Sequence, residues 1–260
     1  MPGVGLGAST VSGTVERLRV ATYNIHRCRG LDQRVLPARI ARVLEEIDAD
    51  VIGLQEVVND ARSPHQPGQA CYLAQKLGYQ CRFSQTRELR GRPYGNAVLS
   101  RFPIQTSKAH DLSCKPLEPR ACFQVDIQIS DRQRLHIFNV HLGTTHSERQ
   151  LQARALVSSQ ILASPELAYP RIMLGDFNDW MQGAVSRLLA SHLVSADLAA
   201  FLRRCRTYPG LLPMVHLDHI YFDASLHLES LKLHRSRTAL LASDHLPLVA
   251  EFRLPPEESG

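Results

Sequence analysis

Long apolar runs are missing: nothing in the 260 residues approaches the roughly 20 consecutive apolar positions that a membrane-spanning helix needs. The opening segment MPGVGLGASTVSGTVER has neither a basic start nor an unbroken apolar core, so residues 1–17 read as a flexible tail and not as a signal peptide. Cys28, Cys71, Cys81, Cys114, Cys122 and Cys205 form no CxxC pair and show no zinc-like Cys/His spacing. A reducing cytoplasm is therefore the expected compartment, with a Cys114–Cys122 disulfide as a minor option. Aromatic residues are scarce at 6%, and the single Trp180 fits a core edge as well as a stacking platform for bases. No block of consecutive Lys/Arg occurs, and Arg87-Arg90-Arg92 and Arg203-Arg204-Arg206 read as solvated faces. Linkers and internal repeats are absent too. What remains is a globular composition, 44% hydrophobic and 21% charged, in a chain long enough for one large multilayered domain. A net charge of +5 and a pI near 9.0 tilt it mildly toward anionic partners, nucleic acid or an anionic lipid surface.

Strand patterns fall at residues 18–24, 50–55, 96–100, 121–129, 135–140, 171–174, 218–222 and 248–254. A helix is expected over Pro37 to Ile47, with Pro37 in its first turn and Ile40, Val43, Leu44 and Ile47 on one face. Ser147 and Gln150 have capping-box spacing ahead of a stripe of Leu151, Ala155, Val157 and Ile161 or Leu162. The strands ending at Ile129 and starting at Leu135 look like an antiparallel hairpin closed by Ser130-Asp131. Helices and strands mix without strict alternation, which predicts stacked sheets flanked by helices with the chemistry on loops at one rim.

The richest stretch is RIMLGDFN. Its apolar strand ends on Asp176 and Asn178, whose i, i+2 spacing turns both side chains to one side. By itself Gly175-Asp176 is a turn signal. Other strands end similarly, on Asn24, Glu56, His141, Asp218 and Asp244-His245. Taken singly, each has an ordinary reading as a turn former, a cap or a solvated loop residue. Together they form a chemical set. Magnesium takes oxygen ligands, keeps several waters and needs only one or two carboxylates plus a substrate phosphate, which Glu56 and Asp244, supported by Asn24, could supply. Phosphodiester hydrolysis also needs an activated water and stabilisation of growing phosphoryl charge; His245 with Asp218, and His141, Asp176 and Asn178, suit those tasks.

YNIH at 23–26, LQEV at 54–57, GNAVLSRFP at 95–103, NVHL at 139–142, GDFN at 175–178, LDHIYF at 217–222 and SDHLP at 243–247 resemble, in order, the signature blocks of the endonuclease/exonuclease/phosphatase superfamily, the DNase I-like fold. The resemblance spans about residues 18–254 and leaves 255–260 as a C-terminal tail. It implies an α/β (α+β) fold, a four-layered αββα sandwich of two mixed sheets, and a Mg²⁺- or Mn²⁺-dependent hydrolase of phosphate esters. By the same resemblance, Glu56 is the direct metal ligand beside Asn24, and Asp244 lies at the metal or its water shell. Asp176 and Asn178 would orient the attacking water and hold the phosphate, while His245 activates water or binds the scissile phosphate with Asp218 orienting it. His141 is similar to the second active-site histidine of the DNase I-like and sphingomyelinase-like branches. Asn96 and Arg120 are weaker candidates for substrate contacts.

His26 and the run Asn139-Val140-His141-Leu142 depart from the abasic-site endonucleases of the superfamily. YNIHRCRG, Asp32, RIARVL and the Ser147-Glu148-Arg149-Gln150 segment look more like a bacterial hydrolase subgroup similar to the nuclease-like domain of GPI-anchor lipid remodelers. The expectation is a monomeric phosphodiesterase acting on nucleic acid or a phospholipid-type headgroup, with peripheral membrane contact left open. The alternative is a catalytically silent member that binds phosphorylated ligands or a protein. Two histidines and four carboxylates exceed what mere binding requires.

Overall fold

In the computed structural model, two six-stranded mixed sheets pack face to face between layers of helices. The structure describes residues 15–61, 67–179, 183–199, 206–209 and 215–255. Trp180, Arg203, Arg204, Cys205, residues 1–14 of the tail and residues 256–260 lie outside them. The first sheet runs β11 (His227–Leu233), β12 (Leu248–Arg253), β1 (Arg17–Asn24), β2 (Val51–Val58), β4 (Arg92–Ser100) and β3 (Gln80–Leu89). The second runs β5 (Ile104–Asp111), β6 (Ala121–Gln128), β7 (Arg134–His141), β8 (Arg171–Asp176), β10 (Asp218–Phe222) and β9 (Val194–Ser195).

Period-two alternation explains the layering. Leu18 and Val20 of β1 enter the core between the sheets, with Val125, Ile137, Ile172 and Ile220, whereas Ala21 and Tyr23 face a helix layer. That layer is α1 (Pro37–Ile47), α2 (Gln69–Leu77) and α6 (Arg237–Ala242); Ile40, Leu44, Leu73 and Ala239 share one cluster with Tyr23 and Leu54. On the opposite side, α3 (His146–Leu156) and α4 (Ala184–Leu189) place Ala153, Leu156 and Leu189 against Phe138, Val140 and Met173. The short α5 (Ala196–Ala199) precedes β10. Strands covered on both faces are mainly apolar, and β1, β7 and β8 are legible for that reason. No helix among the described residues is long and apolar enough to cross a membrane.

The segments with no expected element are β3, β5, β9, β11, α2, α4, α5 and α6. β3 and β5 are edge strands whose residues are mostly half-buried or exposed, so pairing rather than an apolar run defines them. β1 begins at Arg17, already paired with Arg253, inside the segment read as tail. The hairpin between β6 and β7 is present, but Gln128 pairs with Arg134, and the loop spans 129–133. Helix α3 corrects the capping assignment. Its N-cap is Thr145, whose hydroxyl accepts from the Glu148 N–H at 3.3 Å, the same spacing two residues earlier. Leu151 is consequently exposed, and the buried face carries Glu148, Arg149 and Gln152. These polar groups hold the loop after β7: Gln152 Oε1 accepts from Gly143 N–H at 2.8 Å, and Arg149 donates to Thr144 O at 2.7 Å. Val157, Ile161 and Leu162 lie beyond the helix end. Cys114 and Cys122 are free thiols, contrary to the disulfide option.

Each sheet has one parallel pair at its centre, β1 with β2 and β7 with β8. Those four strands therefore end at one rim, and the sheets pack so that β1 and β2 contact β7 and β8. Asn24, His141 and Asp176 are the last residues of their strands. β10 runs antiparallel and starts at Asp218, directly opposite Asp176. β12 pairs antiparallel with β1 from Leu248, bringing the 243–247 loop to the same edge. Gly175 lets β8 reach its end: at φ 147° its Cα lies so near the Val140 carbonyl that any Cβ would collide with it.

Candidate active site

Asp176 is the hub. Its carboxylate accepts from Asn24 Nδ2 at 3.0 Å and from the Asn178 backbone N–H at 3.0 Å. Its Oδ2 lies 3.7 Å from both His141 Nε2 and His245 Nε2. The other nitrogen of His245, Nδ1–H, donates to Asp218 Oδ2 at 2.8 Å, which turns Nε2 toward Asp176. Thr207 Oγ1 accepts from the Leu217 and Asp218 backbone N–H groups at 3.3 Å each, and Tyr208 packs its ring 4.9 Å from that of His245.

Two departures from regular backbone complete the rim. After β1, His26, Arg27 and Cys28 adopt φ of 43°, 59° and 56°, three successive non-glycine residues in the left-handed region, a costly arrangement. The turn brings His26 Nδ1 within 3.4 Å of Asp244 Oδ1 and Arg27 Nε within 3.7 Å of Glu56 Oε2. Glu56 itself sits in a bulge of β2, at φ 57°, where the register with β4 shifts between Leu54 and Val57. A residue of the other sheet braces that bulge. Asn139 of β7, fully buried, donates from Nδ2 to Leu54 O at 3.0 Å and Ala97 O at 2.9 Å, while its Oδ1 accepts from Gln55 Nε2 at 2.7 Å.

Burial sets the electrostatics. It raises Asp176 to about 6, against the opposing pull of the His245 charge. For His245 burial would lower the pKa, but the Asp218 charge and hydrogen bond, with Asp176 and Asp244, push it up to about 10. His141 is held well below its ordinary value by burial and then by the positive charges of Arg120, His245 and Arg87. One histidine is thus a cation and the other neutral. Because His245 is raised from 6.5 to about 10, its stabilising contribution is complete below 6.5 and lost as pH rises through about 10. In EDTA, the Tm of wild type should therefore fall more steeply between pH 7 and 10 than that of His245→Gln; parallel slopes would overturn this assignment.

Asn24, Glu56, His141, Asp176, Asn178, Asp218 and His245 gather at one rim. Asp244 is further out, half-exposed and engaged by His26 and by Ser243 Oγ at 3.3 Å. The Asn24 side-chain oxygen Oδ1 already accepts from His26 N–H at 3.0 Å, and Nδ2 reaches Glu56 Oε1 at 3.4 Å as well as Asp176. Asn24 thus aligns two carboxylates. Asn178 anchors through Nδ2 to Leu142 O at 2.9 Å, at φ 50°. Asn96, opposite the Glu56 bulge, and Arg120 are both buried, and Asn96 Nδ2 and Arg120 Nε have no hydrogen-bond partner. Residues that sequence reading missed are Asn139, Arg87, Tyr94 and Glu118: Glu118 bridges Arg87 at 2.8 Å and Arg120 at 3.6 Å, and Arg87 stacks 4.4 Å over Tyr94. A lone Asn inside the apolar IFNVH was the available signal for Asn139; the arginine pair had none.

The donors suit a divalent cation. Asp176, Asp218 and His245 present ligand atoms within 4.8 Å of one another, and the buried Asp218 Oδ1 has no hydrogen-bond partner. Glu56 adds an oxygen donor at the same rim. A buried carboxylate oxygen without a partner is costly, even though the other oxygen of Asp218 is met by His245.

Known proteins share this frame. A protein of Escherichia coli, YbhP, itself uncharacterised, is 30% identical over 246 residues, covering 91% of this chain and 96% of that one. The structure of an endonuclease/exonuclease/phosphatase from Beutenbergia cavernae superposes with a TM-score of 0.74 at 22% identity, over 95% of this chain and 74% of that one. The human Nocturnin catalytic domain, solved with bound sulfate, gives 0.70 at 22% identity, over 92% and 95%. At those identities the structures speak for the fold alone. The family model of the Endonuclease/Exonuclease/phosphatase family matches residues 21–245, a span that runs from β1 through His245 and takes in every strand-end residue of the rim. With its two sheets, their parallel centres and this rim, the chain belongs to that family.

Proposed function

We propose that this protein is a divalent-metal-dependent phosphodiesterase whose substrate is a phospholipid-type headgroup. The observation that carries the catalytic reading is the Asp218–His245–Asp176 chain beside His141, with one acid near neutrality and one histidine cationic. Hydrolysis adds a water oxygen to phosphorus, breaks one P–O ester bond, and moves a proton from water to the leaving alcohol. Asp176, with its pKa near 6, is ionised at neutral pH and basic enough to take the water proton. Cationic His245, oriented by Asp218, offers Nε2–H to a phosphoryl oxygen, and Asn96 Nδ2 and Arg120 Nε are further donors without partners. Neutral His141 and Asn178 hold Asp176 and the adjoining loop in place. Glu56, aligned by Asn24, would hold Mg²⁺ or Mn²⁺, with Asp244 in its water shell; when bound, the ion supplies Lewis-acid neutralisation of the phosphate.

Surface chemistry favours lipid over nucleic acid. Four of the six large hydrophobic residues that stand exposed among the described residues, Leu31, Val35, Leu36 and Leu241, belong to the loop after His26 and to the helix before Ser243. Leu31 N–H donates to Leu241 O at 3.1 Å, so the two segments form one ledge beside the catalytic loop. Arg34 and Arg237, also exposed, flank it. Apolar side chains ringed by cations match an anionic membrane surface. With Mn²⁺, wild type should cosediment with and hydrolyse phosphatidylglycerol vesicles. The Leu31→Ser/Leu241→Ser variant should lose about tenfold on vesicles while hydrolysing soluble bis-p-nitrophenyl phosphate at the wild-type rate. Faster cleavage of single- or double-stranded DNA than of vesicles, or equal vesicle binding by the variant, would overturn the lipid assignment.

A further inference from the structure

A second group of ligating side chains lies behind the active rim, where the catalytic reading makes no use of it. Asp197 of α5, His216 just before β10 and His219 within β10 are 8%, 5% and 6% exposed. His216 Nε2 is 3.2 Å from Asp197 Oδ1, His219 Nδ1 is 3.5 Å from Asp197 Oδ2, and the two imidazole rings meet edge-on with centroids 4.1 Å apart. One ligand atom from each residue falls within 4.8 Å of the others.

Hydrogen bonding does not satisfy these atoms. Both oxygens of Asp197 and Nε2 of His216 are buried without an aligned partner, despite their closeness. His219 sharpens the point. Its Nε2 faces the Asp179 backbone carbonyl at 3.4 Å, and a carbonyl only accepts, so the ring proton belongs there. In the neutral ring that leaves the Nδ1 lone pair directed at a carboxylate oxygen 3.5 Å away, two acceptors facing each other. A positive charge between them resolves the conflict.

We propose that Asp197, His216 and His219 bind a divalent transition-metal ion, zinc by the chemistry of the donors. Two imidazoles and a carboxylate are zinc ligands, whereas the oxygen-rich rim suits magnesium or manganese. Tetrahedral bonds of the usual zinc lengths set neighbouring ligand atoms about 3.3 Å apart; each histidine nitrogen lies 3.2 or 3.5 Å from one of the two Asp197 oxygens, and one ligand atom from each residue falls within 4.8 Å of the others. A histidine ligand typically donates its other N–H to a carbonyl, as His219 does to Asp179. The ion would tie α5 to β10 one residue from Asp218, and so stiffen the strand start that orients His245. It acts as a positioning element, outside the reacting groups.

The test uses the whole chain, stripped with chelator and then titrated with Co²⁺ or Zn²⁺ alone. Wild type and Glu56→Gln should both show the intense visible absorption of tetrahedral cobalt and retain one zinc per chain after gel filtration. His216→Gln and Asp197→Asn should bind at least about tenfold more weakly. Far-UV circular dichroism in EDTA establishes that each variant is folded, and should one not fold, the wild-type and Glu56→Gln spectra decide. No tetrahedral spectrum in wild type, loss of it in Glu56→Gln, or full retention in folded His216→Gln would overturn the site.

Discussion

Asp176→Asn should hydrolyse bis-p-nitrophenyl phosphate about a thousandfold more slowly than wild type at pH 7.5 with Mn²⁺, with its far-UV spectrum unchanged. The substitution keeps the shape but only one of the two hydrogen bonds, because Asn24 Nδ2 and Asn178 N–H donate to different oxygens of Asp176 and an amide has a single acceptor oxygen. It removes the charge and the basicity. A side chain that burial holds near pKa 6 becomes one that takes no proton, and His245 loses one of the three carboxylates that keep it cationic. Asp218→Asn isolates the second effect, since it leaves Asp176 in place but weakens the 2.8 Å hydrogen bond to His245, and a loss of about a hundredfold is expected. EDTA should abolish wild-type activity. Asp176→Asn turning over at the wild-type rate would remove Asp176 from the chemistry altogether, whereas no metal-dependent turnover in wild type would return the fold to the silent binding alternative.

Asn139→Ala should destabilise the protein by about 3–5 kcal/mol in urea denaturation, unusually much for a residue that touches no substrate. The truncation strands the Leu54 and Ala97 carbonyls in the space between the sheets, and leaves the Gln55 amide with only Thr22 Oγ1 and Gly53 O as acceptors. Each unsatisfied group costs about 1–3 kcal/mol. A functional consequence follows from position. The same bulge that Asn139 braces presents Glu56, so the rise in Tm expected of wild type with Mg²⁺ should shrink in Asn139→Ala and in Glu56→Gln alike. An undiminished Mg²⁺ shift in the alanine variant would show that the bulge holds its shape without the asparagine. A stability loss under 1 kcal/mol would mean that the stranded carbonyls find other partners.

The residues at the rim were legible because their strands are. β1, β7 and β8 are mainly apolar on both faces, so each ends visibly where a polar side chain interrupts the run, at Asn24, His141 and Asp176. Edge strands β3 and β5 escaped notice because one face is solvated and nothing but pairing distinguishes them from loop. Helix α3 shows the same limit in another form. Its buried Glu148, Arg149 and Gln152 read as surface residues until the loop they hold, 143–145, is seen beneath them. The left-handed turn at His26 to Cys28 has no glycine to announce it.

Linear order and residue type were enough to identify the family, the sandwich and the strand-end side chains, because those properties rest on local periodicity and on which atoms a side chain carries. Division of labour among the same side chains was not contained there. Two histidines of identical chemistry, each 3.7 Å from Asp176, become a cation and a neutral ring because Asp218 holds the far nitrogen of one, while burial and then Arg120 disfavour charge on the other. Asp176 acquires its basicity from burial at the meeting of two sheets. Asn139 becomes a brace for Glu56 by crossing from one sheet to the other. Each of these depends on neighbours distant in the chain, and a charge or an unpaired carbonyl responds to what lies within a few ångströms of it, whatever the separation in sequence.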